Sequence, residues 1–291
     1  IIYSSKSIII EDVIRSINNP ELIFKKKNPN LFAQVKIKND FGNLYVNYSD
    51  IKKILSNVFP QNLFIRSLKL LPEKSFFDID MSDGLLRMNG FSSIENTNEF
   101  TSHNRYDSIL DFMPSNTILY TNRSKKDNNI SKALIESYES NSFFEVTIIN
   151  KPNITIKNEK QIDDDIYSFN DEALLNEAEI EMSEEEYYYL NYKQYMLISK
   201  SFNSLIEIKS LFDKKDFWSK NLKLNQFQKQ LNQSQDVLLI FDISKLLPLN
   251  NSNIKYASVQ LNKIQDKFYM SLNLSEKDDD NNIMNDDNII N

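Results

Sequence analysis

Apolar and polar residues alternate along several short stretches of this chain, and the pattern predicts β-strands joined by tight turns. The clearest case is residues 77–91, where two alternating stretches flank the dipeptide Asp83-Gly84. Because Asp-Gly favours the two-residue turns of hairpins, this segment predicts a β-hairpin. A second hairpin is predicted at residues 256–274. Further strands are predicted at residues 31–37, 44–48, 117–120, 143–149, 153–156, 187–190 and 195–198.

Other segments place apolar residues three and four positions apart, which is the spacing of one helix face. In residues 204–212, for example, Leu205, Ile208 and Phe212 follow this spacing. Together with the hairpins, these segments favour the α+β class, built on antiparallel sheet with packed helices. Helices are predicted at residues 8–17, 51–58, 131–138, 171–178, 204–212, 216–230 and 246–249.

Two stretches of the chain resemble two later stretches at an offset of about 195 residues. Residues 2–17 align with 197–212, and residues 44–51 align with 239–246. Self-similarity at a fixed offset is typical of one supersecondary unit used twice. The pattern predicts a first α+β unit that is N-terminally incomplete (1–158), an acidic excursion (159–186), a second α+β unit (187–275) and a disordered acidic tail or linker (276–291).

Composition excludes several classes of site. Hydrophobic residues make up 41% of the chain and aromatic residues 12%, which is enough for a substantial core. Cysteine is absent, which excludes disulfides, thiolate metal sites and cysteine nucleophiles, and three glycines are too few for a phosphate-binding loop. The net charge of −7 argues against a nucleic-acid partner. No apolar run reaches the length of about 18 residues that a membrane span needs.

Three groups of polar residues are candidates for chemistry, and each has a simpler interpretation. Asp78 and Asp80 share one side of a predicted strand and Asp83 lies in its turn, which favours a solvated face over a metal site. His103 is the single histidine and stands among Ser, Asn and Thr without a nucleophile motif. The acidic block at residues 163–186 lacks the spacing of a calcium loop. No catalytic, cofactor-binding or metal residue is therefore predicted.

Five tyrosines form the candidate surface for protein contact. Tyrosine offers a large contact area at low entropic cost and is enriched where proteins meet. The alternative is that alternate tyrosines pack within a sheet, as their β-propensity favours. Trp218, by contrast, is expected in the core. The candidate contact residues are Tyr187, Tyr188, Tyr189, Tyr192 and Tyr195.

Three stretches of this chain together resemble an uncharacterised family of cell-envelope proteins from Bacteroidota. They are residues 44–50, the hairpin that ends in Met88-Asn-Gly-Phe91, and Asp111-Phe-Met-Pro-Ser-Asn-Thr117. In that family a repeated α+β domain of unknown function is exported behind a signal peptide or lipoprotein signal, often followed by a β-propeller-like region. The resemblance implies a periplasmic or outer-membrane-associated location, with the cytoplasm as the alternative. It implies other envelope proteins as partners and a possible lipid anchor outside this chain, and it supplies no catalytic residues to carry over.

Two functions of different classes follow from these observations. The first is a non-enzymatic protein-binding or scaffold subunit of an outer-membrane or secretion assembly, which predicts an exposed apolar or aromatic patch. The alternative is a carboxylate-dependent hydrolase with its site between the two units. That function predicts a deep pocket that holds two close carboxylates whose pKa values are raised.

Overall fold

The computed structural model of this chain describes strands that all belong to one antiparallel sheet. It describes residues 11, 14, 15, 18, 19, 43–48, 71–82, 85–93, 108–124, 129–140, 142–150, 155–231, 235–246, 253–264 and 267–276. Thirteen strands lie within these ranges: β1 (Asn43–Asn47), β2 (Lys74–Ser82), β3 (Leu85–Ser93), β4 (Thr117–Ser124), β5 (Asn129–Glu136), β6 (Phe143–Asn150), β7 (Lys160–Asp163), β8 (Ile166–Phe169), β9 (Tyr187–Tyr192), β10 (Tyr195–Ser199), β11 (Val237–Asp242), β12 (Ile254–Ile264) and β13 (Lys267–Glu276). Their order in the sheet is β1-β2-β3-β13-β12-β11-β4-β5-β6-β10-β9-β8-β7.

Four α-helices and two short 3-10 helices accompany the sheet in the described ranges. Three of the α-helices begin after a polar residue whose side chain accepts hydrogen bonds from the first helical N–H groups: Asp171, Ser201 and Asn221. The helices are α1 (Glu172–Glu177), α2 (Phe202–Asp213), α3 (Leu222–Lys229) and α4 (Ile243–Leu246), and the 3-10 helices are η1 (Ser108–Phe112) and η2 (Trp218–Lys220).

The predicted balanced α+β fold with two related units is wrong, because the molecule is mostly one antiparallel sheet. Strands of the predicted first unit pair with strands of the second, since β3 pairs with β13 and β4 pairs with β11. The predicted acidic excursion contributes β7, β8 and α1 to the same sheet and its cover. Similar sequences at 44–51 and 239–246 do form two strands, β1 and β11. The two similar sequences therefore both form strands, but the similarity does not determine which strands they pair with.

Most predicted strands are confirmed, and the hairpins at 77–91 and 256–274 appear as β2–β3 and β12–β13. The helix predicted at 131–138 is wrong, because these residues form β5 between β4 and β6. The single helix predicted at 216–230 is divided into η2 and α3. Residues 31–37, 51–58 and 277–291, together with Asp83 and His103, lie outside the described residues.

Both faces of the sheet are buried over its central strands. The side covered by α2 and α3 is called the α2 face, and its core includes Ile148, Leu197 and Leu205. The opposite side, the α1 face, packs under α1 near β9 and under α4 near β11. Trp218 lies in the α2-face core as predicted, and its indole Nε1 donates to the Thr117 carbonyl oxygen at 3.1 Å. No helix in the described part of the chain is both long and apolar enough to cross a bilayer.

Candidate functional site

The five candidate tyrosines lie on one hairpin, β9–β10, and point to both faces of the sheet. Tyr187 and Tyr189 belong to the core under α1, while Tyr195 belongs to the core under α2. Their exposed fractions are 1%, 2% and 3%, so these three side chains are not surface residues in this chain. The predicted pairing of residues 187–190 with 195–198 is confirmed.

Tyr188 and Tyr192 retain accessible surface, because both are half-buried. The Tyr188 ring packs against Phe202 with ring centroids 5.8 Å apart, and the Tyr192 ring packs against Phe212 at 4.1 Å. Both partners belong to α2, so even these tyrosines use part of their area to hold the helix on the sheet. A contact role for the hairpin stays a prediction, and these two residues are the ones with surface to perform it.

A cavity of about 320 Å³ lies beside the same hairpin, on the α1 face. Its floor comes from neighbouring strands, with Thr147 of β6 directly opposite Ile198 of β10. Lys200 and Tyr187 continue this floor, one position beyond the paired residues Ser199 and Tyr188. A volume of this size is at the lower end of the range for small-ligand sites in proteins.

The roof of the cavity is the chain that leaves α1, residues 180 and 181. At Glu179 the backbone adopts a left-handed conformation with φ of 51°, which turns the chain across the sheet. Two basic side chains from the central strands hold this turn. Lys132 Nζ donates to the Glu179 carbonyl oxygen at 2.7 Å, and Arg123 Nη1 lies 3.7 Å from the Glu179 carboxylate. The sheet itself therefore fixes the height of the roof.

Tyr187 forms an aromatic wall of the cavity and is held rigidly. Its hydroxyl donates to the Glu181 carbonyl oxygen at 2.6 Å, and the Ser183 hydroxyl lies 3.1 Å away. The Lys200 ammonium stands 5.5 Å from the centroid of the Tyr187 ring and 3.6 Å from the Glu185 carboxylate. The ammonium is attracted electrostatically both to the aromatic face and to the carboxylate.

The rim of the cavity carries further polar groups. Ser201 is the N-cap of α2 and its backbone N–H donates to Ser199 Oγ at 3.2 Å. Ser199 Oγ in turn donates to the Glu145 carbonyl oxygen at 3.3 Å, which ties β10 to β6 at the cavity edge. Glu145 and Glu181 also line the cavity, the first half-buried and the second exposed. Acidic and basic residues therefore both border the cavity.

Asp78 and Asp80, which the sequence suggested as a solvated face, lie at the other end of the sheet. Asp78 stands opposite Asn89 and receives a hydrogen bond from Asn43 Nδ2 at 3.3 Å, while Asp80 stands opposite Arg87. Within the ranges that the structure describes, no three His, Cys, Asp or Glu residues are grouped to hold a metal ion.

Asp78 belongs to a row of facing residues that crosses eight strands on the α2 face. The buried polar members form hydrogen bonds with one another or with neighbours, as when Asn122 Nδ2 donates to Ser131 Oγ at 2.8 Å. Because such bonds satisfy the buried groups, the row holds strands in register and needs no ligand to complete it. In sheet order the row is Ser131, Asn122, Leu238, Gln260, Ser271, Asn89, Asp78 and Asn43.

Two ionisable groups beneath and beside α1 are perturbed by their surroundings. The Lys157 backbone N–H lowers the pKa of Asp171, burial opposes this, and the N–H groups of Leu174 and Ala173 lower it further. Burial, and then the hydrogen bond to the Glu159 carboxylate, raises the pKa of Tyr189 above its usual value. Both groups support α1, which leads into the cavity roof.

Lys200, Thr147 and Glu145 were not singled out by the sequence, although all three line the cavity. Lys200 stands more than fifty positions from the other two in the chain and meets them only because β6 pairs with β10. The one local signal was Ser201-x-x-Ser204, an N-cap pattern that marks the start of α2.

Comparison with protein-family models, with curated proteins and with solved structures found no match to this chain.

Proposed function

We propose that this chain is a non-enzymatic protein-binding subunit that receives a side chain of its partner in the cavity between β6, β10 and residues 180–187. The observation that carries this proposal is the preformed cavity itself, with a rigid aromatic wall and a polar rim. A side chain that fills such a site is a typical anchor of a protein interface. From the resemblance of the sequence to envelope proteins, we propose that the partner belongs to a bacterial envelope assembly.

The hydrolase alternative has less support. Its site was expected between two units, and the strands of those predicted units belong to one sheet. Two glutamates do line the cavity, but the Glu181 side chain is exposed and lacks the desolvation that a carboxylic general acid needs. The main-chain carbonyls of Glu145 and Glu181, moreover, serve to hold Ser199 and Tyr187.

Site-specific crosslinking in the native cell tests this proposal. A photo-activatable residue at Glu181 stands on the cavity roof, and the same residue at Leu222 of α3, 78% exposed, stands on the other face. We expect one defined protein to be crosslinked from position 181 and not from position 222. Equal yields from both positions, or none from 181, would overturn the proposal.

A matched pair of tryptophan variants tests the cavity directly. Ile180→Trp adds bulk to the cavity roof, whereas Ile162→Trp adds the same bulk to β7, which does not line the cavity. We expect the crosslinked partner to be lost from Ile180→Trp and retained by Ile162→Trp. Retention by both variants would show that the partner does not enter the cavity.

A further inference from the structure

We infer that the α2 face carries a second binding site, formed by β2, β3 and β13, and that its ligand is a neutral oligosaccharide. The site is separate from the cavity and does not depend on the function proposed above. It consists of Arg87, Asn89 and Phe91 of β3, Asp80 of β2 and Tyr269 of β13, and is called the β3 strip. Two accessible aromatic rings lie there beside polar side chains that the described residues leave without a partner.

The β3 strip lies on one face of the sheet and is accessible. Alternate residues of a strand share a face, and Leu85 of the same alternation belongs to the α2-face core. Asp80 faces Arg87 from β2, and Tyr269 faces Phe91 from β13. Asp80 is exposed and the other four side chains are half-buried. From Arg87 to Phe91 the strip is about 14 Å long, which accommodates a short oligosaccharide.

Two aromatic rings form one end of the strip. Phe91 and Tyr269 meet edge to face, with ring centroids 5.9 Å apart. Both rings lie outside the three hydrophobic cores that the described residues form. Phe76, which faces Phe91 from β2, is buried and is not part of the strip. The apolar C–H groups of a pyranose ring pack against aromatic side chains, so this end of the strip supplies the apolar part of a sugar site.

The polar side chains of the strip supply both donors and acceptors. Arg87 and Asp80 stand opposite each other without forming an ion pair. The Asn89 side chain and the Tyr269 hydroxyl have no hydrogen-bond partner among the described residues. A guanidinium only donates and a carboxylate only accepts, whereas an amide and a hydroxyl do both. Each sugar hydroxyl also donates and accepts, so the two sets of groups are complementary.

The strip adjoins the row of facing residues that crosses the α2 face. Buried members of that row, such as Asn122 and Ser131, form hydrogen bonds with each other, so the sheet needs no ligand to hold its register. Asn89 belongs to the same row but is half-buried and stands nearer the edge of the described sheet. A ligand on the strip is therefore an addition to a folded sheet and not a part of its core.

Charge and strand pairing distinguish a neutral sugar from other ligands. Asp78 and Asp80 occupy alternate positions of β2 on this face, and the whole chain carries a net charge of −7, which disfavours a ligand that bears phosphate. Both edges of β3 are already paired, with β2 and with β13, so a peptide cannot join the sheet here through its main chain. An uncharged ligand that side chains alone can recognise fits these conditions.

Isothermal titration calorimetry with cellohexaose, xylohexaose, maltohexaose and mannohexaose tests the inference on the folded chain. We expect at least one of these sugars to bind with a Kd of about 10 μM to 1 mM. The affinity should stay the same when the salt concentration is raised about tenfold, because a neutral ligand releases no counterions.

Three variants examine the strip itself. Phe91→Leu keeps an apolar side chain but removes the ring, and is expected to weaken binding about fivefold. Tyr269→Phe removes one hydroxyl and should weaken binding about fivefold, and Arg87→Gln should weaken it about tenfold because bonds to a charged group are stronger. Tyr167→Phe is the matched control, since it removes the hydroxyl of a half-buried tyrosine on β8, near the other end of the sheet. Urea unfolding of each variant verifies that it is folded.

Three results would overturn the inference. The first is that none of the four sugars binds at a concentration of about 1 mM. The second is unchanged binding by all three strip variants, or equal weakening by Tyr269→Phe and Tyr167→Phe, which would place the sugar elsewhere on the chain. The third is tighter binding of an oligouridine with the same dependence on Phe91, which would show that the strip recognises nucleic-acid bases. The protein-binding function is tested separately, because crosslinking at position 181 reports on the opposite face.

Discussion

Strands β9 and β2 are both antiparallel, and they differ in what lies on their two sides. Along β2, buried Phe77 alternates with Asp78, whose side is partly open, and Asp80 is exposed. Along β9, Tyr189 packs under α1 while its neighbour Leu190 packs under α2. The Asp78 side of the first strand is polar beyond buried Phe76, whereas both sides of the second strand are apolar.

This difference explains why the sequence pattern indicated the buried residues of one strand and not those of the other. Where one side faces polar surroundings, alternation in the sequence reveals which residues are buried. Where helices cover both sides, a run such as Tyr187 to Leu190 contains no polar position that marks a surface. An aromatic run of this kind indicates a doubly covered strand as readily as an interface.

The largest expected effect comes from removing a buried aromatic ring of β9, the strand that is covered on both sides. Tyr189 stacks on Tyr167 at 5.1 Å and meets Phe169 edge-on at 5.7 Å. We expect Tyr189→Ala to lower the free energy of unfolding by about 3–5 kcal/mol, as for other buried aromatics. Urea unfolding measures this loss, and a loss below about 1 kcal/mol would contradict the buried placement.

The β2–β3 hairpin can be disrupted by adding a side-chain atom where the backbones of its two strands lie close together. Gly90 of β3 stands opposite Phe77, and a Cβ atom added there would overlap the Phe76 carbonyl group and lie 2.9 Å from the Phe77 Cα. We expect Gly90→Ala to cost about 3 kcal/mol in urea unfolding, because the two strands must separate. Asn89→Ala, at the next position, is the control and is expected to cost less.

Substitutions at Tyr188 of β9 and Asp78 of β2 test the same comparison between a covered side and an open side. Tyr188→Ala is expected to cost about 2 kcal/mol, because the half-buried ring packs on Phe202 of α2. Asp78→Ala is expected to cost about 0.5 kcal/mol or less, because its bond from exposed Asn43 is screened. Equal losses in the same urea experiment would contradict the proposed difference between the open and covered sides.

A further expected effect depends on pH and concerns the helix that covers one side of β9. The pKa of Asp171 is lowered in the folded chain, so its contribution is present above the unfolded value of about 3.9 and is lost as the pH falls through the folded pKa. We expect Asp171→Asn to cost about 1 kcal/mol at pH 7. The difference from the unsubstituted chain should shrink at pH 3.

Ser201→Ala provides the control for this titration, because it removes the N-cap of α2 without removing an ionisable group. Its cost of about 1 kcal/mol should not change between pH 7 and pH 3. A constant difference for Asp171→Asn as well would show that the carboxylate charge does not contribute.

Local patterns predicted the strands and hairpins, and long-range pairing decided the rest. Residues 131–136 contain helix-favouring Ala133 and Leu134, yet they belong to β5. They pair with β4 and β6, and their side chains pack into the cores on both faces of the sheet. The cavity was not predictable for the same reason. Thr147 and Lys200 acquire their relation only through the pairing of β6 with β10, which no short motif encodes.

The position of the last three strands has a consequence for synthesis of the protein. In the sheet, β11 to β13 lie between β3 and β4, so residues 237–276 join a block made by residues 43–93 to one made by residues 117–199. A ribosome finishes both blocks before it makes the strands that connect them. Until then β3 and β4 each present an open edge, which is a site for unwanted association. Completion of the sheet depends on contacts between distant residues, which makes it a slow, late event after translation.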